Sequence, residues 1–290
     1  MAASSRGHGK TSMDICSRAP HRRRSTARIS VAIGLLTLLL GGMALSQTER
    51  RGIDPDLPEA EFHLARLGFR TNSYASSRGP AQPMWRVDYP EAELHFLPAL
   101  ARLTNLSVAP AVGDGIRHFE ITDERIFDYP FLWLQQPAAA NWNPSAAEIE
   151  ALREYLERGG FFLVDDFHGE SEFYLFRTVM ARVFPEREIV EIPGDDVLMH
   201  LFFNMDDRLQ IPGQRHLMGC SRGDLFSARM GGQPYWLGIY DDTGRIMVAI
   251  YYNIDMGDAW EHADDPCYPA PMTGQAYRLG VNSVIYAMTH

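Results

Sequence analysis

The pattern of apolar positions along the chain predicts alternating strands and helices. Residues 131–134 and 161–164 are continuous apolar runs, which are typical of strands buried on both faces of a sheet. Between them, Asn143-Pro144-Ser145 opens a helix with a cap residue and an early proline, residues 146–157 continue it, and Gly159-Gly160 ends it. The apolar residues of this segment share one helical face: Ile149, Leu152, Tyr155 and Leu156. Strand, helix and strand in this order indicate a βαβ unit of a parallel sheet.

The remaining apolar runs extend this unit into a domain. They predict strands at residues 62–69, 189–192, 235–240 and 246–252, and helices at residues 91–103, 173–184 and 277–288. Residues 74–82 are predicted to form a loop. Apolar strands interleaved with amphipathic helices predict a single α/β domain of three layers over residues 60–290.

Polar side chains gather where three of the predicted strands end. Ligands of open α/β sheets bind outside the carboxyl ends of the strands. If these strands are neighbours, the side chains that follow residues 134, 164 and 252 share one rim. We expect a ligand-binding rim formed by Gln135, Asp165, Asp166, His168, Asn253, Asp255, Asp258, Trp260 and Glu261.

The carboxylates of this rim admit two interpretations. Clustered carboxylates repel, so they must pair with arginine, bind a cation or hold a proton. Carboxylate and imidazole ligands together suit zinc, manganese or iron, which makes Asp165, His168 and Asp255 candidate ligands of a divalent metal. Alternatively, an aspartate at a strand end caps the following helix or shapes a turn.

The first 46 residues differ in charge from the rest of the chain. They carry seven basic residues against one acid, whereas residues 47–290 hold 20 basic and 36 acidic residues. The apolar stretch 29–45 follows the basic run and ends in the small-x-small triplet Ala44-Leu45-Ser46. This order predicts a cleaved export signal or, alternatively, an uncleaved inner-membrane anchor, with residues 47–59 as a linker. Both place the domain outside the cytoplasm, in the periplasm or tethered to the membrane through residues 29–45.

Composition excludes several classes of protein. The chain is 46% hydrophobic and 11% aromatic, which is too apolar for intrinsic disorder. A net charge of −10 argues against a nucleic-acid partner. Three cysteines are too few for a disulfide scaffold, although Cys220 and Cys267 could pair in an oxidising compartment.

One short motif matches a catalytic pattern without its usual context. Residues 219–223 fit G-x-S-x-G, the nucleophile elbow of serine hydrolases, with Ser221 as the nucleophile. The elbow needs a buried strand before it and a helix after it, and neither is predicted here. A serine hydrolase is therefore the least favoured of the enzymatic alternatives.

Several segments resemble a known family. Residues 159–169, GGFFLVDDFHG, resemble the central signature of the bacterial domain-of-unknown-function 4159 family. Its later segments are similar to residues 184–187, 211–213, 238–245, 252–261, 277–282 and 286–290. The resemblance implies a flavodoxin-like, mostly parallel sheet of the class I glutamine-amidotransferase type, but no established activity. Neither Cys220 nor Cys267 follows a buried strand as an amidotransferase nucleophile does, so glutamine-amide transfer is not expected.

These observations favour a non-catalytic module of the cell envelope that binds a small ligand or a protein partner through the rim. The alternative is a metal-assisted hydrolase in which the rim holds a divalent cation and one carboxylate acts as general base.

Overall fold

The computed structural model describes residues 59–71, 73–74, 82–111, 116–218, 226–227 and 232–290, all within one compact unit that begins at Ile53. The predicted leader, the linker up to residue 58, the middle of the predicted loop at 74–82, Cys220 and Ser221 lie outside the described residues. Within the described ranges, none of the helices combines the length and the apolarity that crossing a membrane requires.

A seven-stranded sheet forms the middle layer. Its strands are β1 (Leu64–Leu67), β4 (Ile116–Phe119), β5 (Phe131–Gln135), β6 (Phe161–Asp165), β7 (Val190–Glu191), β10 (Tyr235–Tyr240) and β11 (Ile246–Tyr252). They lie in the order β4-β1-β5-β6-β11-β10-β7, and all are parallel except β10. Two short strand pairs lie apart from it: β2 (Ser73–Tyr74) with β3 (Gln82–Pro83), and β8 (Leu217–Met218) with β9 (Phe226–Ser227).

Helices cover both faces of the sheet. They are α1 (Glu91–Leu103), α2 (Ala146–Glu157), α3 (Glu170–Val183), α4 (Val197–His200), α5 (Met256–Glu261) and α6 (Ala270–Thr289). Because strand side chains alternate, Phe161 and Leu163 pack with α1, α5 and α6, whereas Phe162 and Val164 pack with α2 and α3. This arrangement confirms a mostly parallel, three-layer α/β domain.

The predicted βαβ unit is confirmed as β5, α2 and β6. Ser145 caps α2 by accepting from the Glu148 N–H, and the Glu148 side chain accepts from the Ser145 N–H. Gly159 has a φ of +107°, the conformation that ends the helix and favours glycine. The parallel register then places Gln135 beside Asp165 at the carboxyl ends of the two strands.

Other predicted elements differ from the structure in extent. The helix predicted at residues 173–184 begins earlier in the structure, at Glu170. Its first turn is acidic and has no apolar periodicity, so the sequence pattern does not reveal it. The helix predicted at residues 277–288 likewise begins earlier, at Ala270, because the apolar pattern of its first turns is weak. The strand predicted at 189–192 shortens to the exposed edge strand β7. Strand β4 and helices α4 and α5 were not predicted, since four to six residues are too few to show a period.

Candidate functional site

The carboxyl ends of three neighbouring strands form the candidate site. Strands β5, β6 and β11 are consecutive in the sheet, so the polar residues that follow them meet at one edge. The predicted rim required these three strands to be neighbours in the sheet, and they are. We call the site the carboxyl edge.

Backbone conformation at the carboxyl edge is unusual. Gln136, Asp166 and Asn253, which follow the three strands, have φ values of 47°, 63° and 55°. Asp88, in the loop before α1, has a φ of 59°. Residues other than glycine seldom adopt positive φ, and such conformations concentrate at functional sites.

Asn253 ties these turns together. Its Oδ1 accepts from the Gly169 N–H at 2.9 Å, and its Nδ2 donates to the Gln233 carbonyl at 2.8 Å. The Asp166 N–H donates to the Ile254 carbonyl at 2.7 Å. Asn253 is fully buried and both ends of its amide are engaged, so its role is to join the loops.

Asp165 lies below the edge and anchors the start of α5. Its Oδ1 accepts from Trp133 Nε1 at 2.8 Å and its Oδ2 accepts from the Met256 N–H at 2.8 Å. Burial, together with the charge of the neighbouring Asp166, raises the pKa of Asp165 to about 7. Both oxygens of this carboxyl are committed inside the fold.

Asp166, His168 and Asp255 converge instead. Each offers one ligand atom, and these three atoms all lie within 4.8 Å of one another. Asp166 and Asp255 are 1% and 3% exposed, and His168 is the more accessible member. Asp255 also caps α5, because its Oδ1 accepts from the Asp258 N–H at 2.9 Å. The structural and ligand-binding interpretations of this residue are therefore compatible.

A second histidine supports His168. His168 Nδ1 lies 3.2 Å from His216 Nε2, which also accepts from Arg215 Nε at 3.3 Å. Burial lowers the pKa of His216, and the charges of His168 and Arg215 lower it further. A neutral His216 whose Nε2 accepts requires that His168 Nδ1 carries the proton.

More carboxylates surround this group. One atom each from Asp88, Asp255 and Asp258 lies within 4.8 Å of the others, and the same holds for Asp258, Glu261 and His262. Burial raises the pKa of Asp88, and the carboxylates of Asp258 and Asp166 raise it further. Burial likewise raises the pKa of Asp255, with Asp166 and Asp258 adding to the effect. The carboxyl edge is thus strongly acidic.

A buried arginine lies behind the acids. Arg66, on β1, forms an ion pair with Glu93 of α1. It also donates to Gln135 Oε1 at 2.7 Å and to the Val87 carbonyl at 2.9 Å. Gln135 in turn donates through Nε2 to Asp88 Oδ2 at 2.7 Å. Sequence reasoning missed Arg66, Glu93 and Asp88, because none of them follows a predicted strand.

Trp260 lies away from the rim. Its ring stacks on Phe96, with centroids 4.1 Å apart, and meets Trp133 edge-on at 5.0 Å. The side chain is 1% exposed and belongs to the core between the sheet and α1. Of the rim residues predicted from sequence, Trp260 therefore packs and does not face the site. Gln135 faces Asp88, and Asp258 and Glu261 occupy the outer side of the edge.

Cys267 is disulfide-bonded. The two other cysteines of the sequence, Cys16 and Cys220, lie outside the described residues, so the pairing of Cys220 with Cys267 stays a prediction. The same holds for the serine-hydrolase alternative at Ser221.

The fold and the carboxyl edge define an α/β protein with an acidic site at the end of a mostly parallel sheet. The chain belongs to the family named Domain of unknown function (DUF4159), whose model matches residues 65–288. No curated protein matches the chain.

Proposed function

We propose that this protein is a binding module whose ligand carries positive charge and enters at the carboxyl edge. The observation that carries the proposal is the burial of Asp88, Asp166 and Asp255 together. Among the described residues, Arg66 is the one buried arginine, and it is already paired with Glu93. The other basic partners of the edge, His168 and His262, carry charge only when protonated, so the acids take up either protons or a further positive charge.

The energetics favour a cationic ligand. Carboxylates that share a buried site raise one another's pKa, because each disfavours the charged form of its neighbours. An isolated buried charge costs several kcal/mol unless it is paired. A bound cation removes this cost for several carboxylates at once. The binding free energy therefore comes from relief of the repulsion between the carboxylates of the free site.

The exposure of the side chains indicates where the ligand enters. Asp88, Asp166 and Asp255 form the floor, whereas the side chains of Asp258, Glu261 and His262 are 18%, 19% and 22% exposed. The side chain of His168 has an intermediate exposure of 10%. A cation approaching along α5 meets partly hydrated acids first and buried acids last.

We also propose that the module acts in the cell envelope. The basic run, the apolar stretch 29–45 and the small-x-small triplet support export or membrane anchoring. The disulfide of Cys267 fits an oxidising compartment. A ligand or partner of the envelope would then reach the carboxyl edge directly.

The test is a thermal-shift screen of the full chain. Manganese chloride, zinc chloride and spermidine are compared with a tetramethylammonium chloride control at equal ionic strength. We expect at least one of the three cations to raise the Tm of the wild type, since a ligand that binds the folded state stabilises it. Asp255→Asn should abolish the rise, and Glu157→Gln, an exposed acid of α2, should keep it. If none of the three cations raises the Tm above the control, the proposal is wrong.

A further inference from the structure

We infer that the cationic ligand is a divalent transition-metal ion held by Asp166 Oδ1, His168 Nε2 and a carboxylate oxygen of Asp255. This inference rests on the proposed binding of a cation at the carboxyl edge and narrows its chemistry. Zinc and manganese represent the class, because carboxylate and imidazole donors together suit first-row divalent ions.

The first observation is a close contact between two atoms that lack hydrogen-bond partners. Asp166 Oδ1 lies 2.6 Å from His168 Nε2. Both atoms are buried, and among the described residues neither forms a hydrogen bond. The pair is too close to be separated by water, and its alignment does not make it a hydrogen bond.

The second observation fixes the tautomer of His168. His216 Nε2 accepts from Arg215 Nε, so this nitrogen carries no proton, and a hydrogen bond between the two rings requires His168 Nδ1 to donate. The proton of a neutral His168 is therefore on Nδ1, and Nε2 carries a lone pair. Two lone-pair atoms, one on a carboxylate and one on an imidazole, then lie 2.6 Å apart.

A metal ion accounts for both observations. It accepts both lone pairs at once, whereas a proton on Nε2 would need an aligned N–H, which the geometry lacks. Metal-ligating histidines characteristically use their other ring nitrogen in a hydrogen bond that sets the ring orientation, as His216 does here for His168.

Asp255 completes a three-residue set. One ligand atom from each of Asp166, His168 and Asp255 lies within 4.8 Å of the other two. Atoms that share one ion at about 2.0–2.2 Å cannot be more than about 4.4 Å apart, so shifts of a few tenths of an ångström suffice. Asp255 is oriented by the Asp258 N–H, which binds its Oδ1 at 2.9 Å.

The donor set also predicts selectivity. One imidazole nitrogen and two carboxylates favour zinc or manganese over calcium or magnesium, which prefer oxygen ligands alone. We therefore expect zinc to bind more tightly than calcium by a factor of at least ten.

The test measures metal binding to the full chain after removal of bound metal with a chelator. Isothermal titration and elemental analysis should give one zinc ion per chain. His168→Ala and Asp166→Asn should each weaken zinc binding at least tenfold, and His200→Ala, an exposed histidine, should not. Asn adopts positive φ readily, so Asp166→Asn preserves the turn and keeps the test valid if His168→Ala misfolds.

The positioning role of His216 has its own measurement. His216→Ala should weaken zinc binding about 10–100-fold without changing the stoichiometry, because it removes the partner that orients the ligand. A larger loss of zinc affinity in Asp166→Asn than in His216→Ala, with one zinc ion per chain retained in His216→Ala, supports this division of roles.

Three results would overturn the inference. The first is that the wild-type protein binds neither zinc nor manganese. The second is that Asp166→Asn and His168→Ala both bind zinc with wild-type affinity. The third is that His262→Ala abolishes zinc binding while Asp166→Asn and His168→Ala do not. If spermidine still raises the Tm in the first case, binding of a cation survives and the metal is wrong. If no cation raises it, both proposals are wrong.

Discussion

Gln135 joins Asp88 to Arg66 across the carboxyl edge. Its Nε2 donates to Asp88 Oδ2 at 2.7 Å, and its Oε1 accepts from Arg66 Nη1 at 2.7 Å. The Gln135 side chain is 2% exposed, so water does not reach these hydrogen bonds. The amide thus connects Asp88 of the site with the buried ion pair between Arg66 of β1 and Glu93 of α1.

Replacing this amide should destabilise the fold. Gln135→Leu leaves a hydrogen-bond acceptor on Asp88 and a donor on Arg66 unsatisfied in a buried place. We expect a loss of about 2–4 kcal/mol in the free energy of unfolding, measured by urea denaturation. Glu157→Gln serves as the exposed control. A loss below about 0.5 kcal/mol would show that water replaces the amide.

Removing the counter-charge of Arg66 should cost as much or more. Glu93→Gln leaves a buried guanidinium, 2% exposed, without its carboxylate. Breaking a buried ion pair from one side costs about 3–5 kcal/mol. Urea denaturation at pH 7 measures the loss. The double variant with Arg66→Met should recover part of this stability, and equal losses in both variants would contradict the pairing.

Gly257 should tolerate no side chain. A Cβ at this position would overlap the Gln135 amide and the Asp88 carboxylate, because the first turn of α5 runs directly over them. We expect Gly257→Ala to lower stability by more than about 2 kcal/mol through overpacking.

Gly274 provides the matched control. Its Cβ would have Arg278 Nη2 as its nearest neighbour at 3.8 Å, and the residue lies inside α6. Gly274→Ala should raise stability by about 0.5–1 kcal/mol, because alanine favours the helix. Equal Tm changes of the same sign in both variants would contradict the close packing at Gly257.

Asp241 should contribute stability that depends on pH. Partial burial opposes ionisation, but hydrogen bonds from Thr243 and Arg245 lower the pKa of Asp241 to about 2. A folded-state pKa below the unfolded value means that the stabilisation is complete above about pH 5 and is lost as pH falls toward 2.

The measurement compares Asp241→Ala with the wild type at two pH values. At pH 7 we expect a loss of about 1–3 kcal/mol, because the variant removes hydrogen bonds to a charged group. At pH 3 the difference should shrink, since the carboxyl of the unfolded chain is then largely protonated while the folded carboxylate is still mostly ionised. A difference that stays constant or grows toward pH 3 would contradict the lowered pKa.

The apolar runs were sufficient to predict the centre of the fold. Strands β5, β6 and β11 are buried on both faces, so their sequences are continuously apolar and their carboxyl ends could be located. Edge strand β7 and the short strand β4 have no such run, which explains why the sheet margins were shortened or missed.

The members of the site were harder to predict than its position. Asp165 and Asp166 are adjacent in sequence, but the strand pleat turns Asp165 toward Trp133 and a φ of 63° turns Asp166 toward His168. Backbone dihedral angles of single residues are not encoded in periodicity. His216 and Asp88 come from loops distant in sequence, so only the folded structure brings them to the edge.

The most direct measurement is a crystal structure of the zinc-loaded full chain with anomalous scattering data at the zinc edge. We expect one anomalous peak about 2.0–2.2 Å from Asp166 Oδ1, His168 Nε2 and an oxygen of Asp255. A peak confined to Asp258, Glu261 and His262, or no peak at the carboxyl edge, would contradict it.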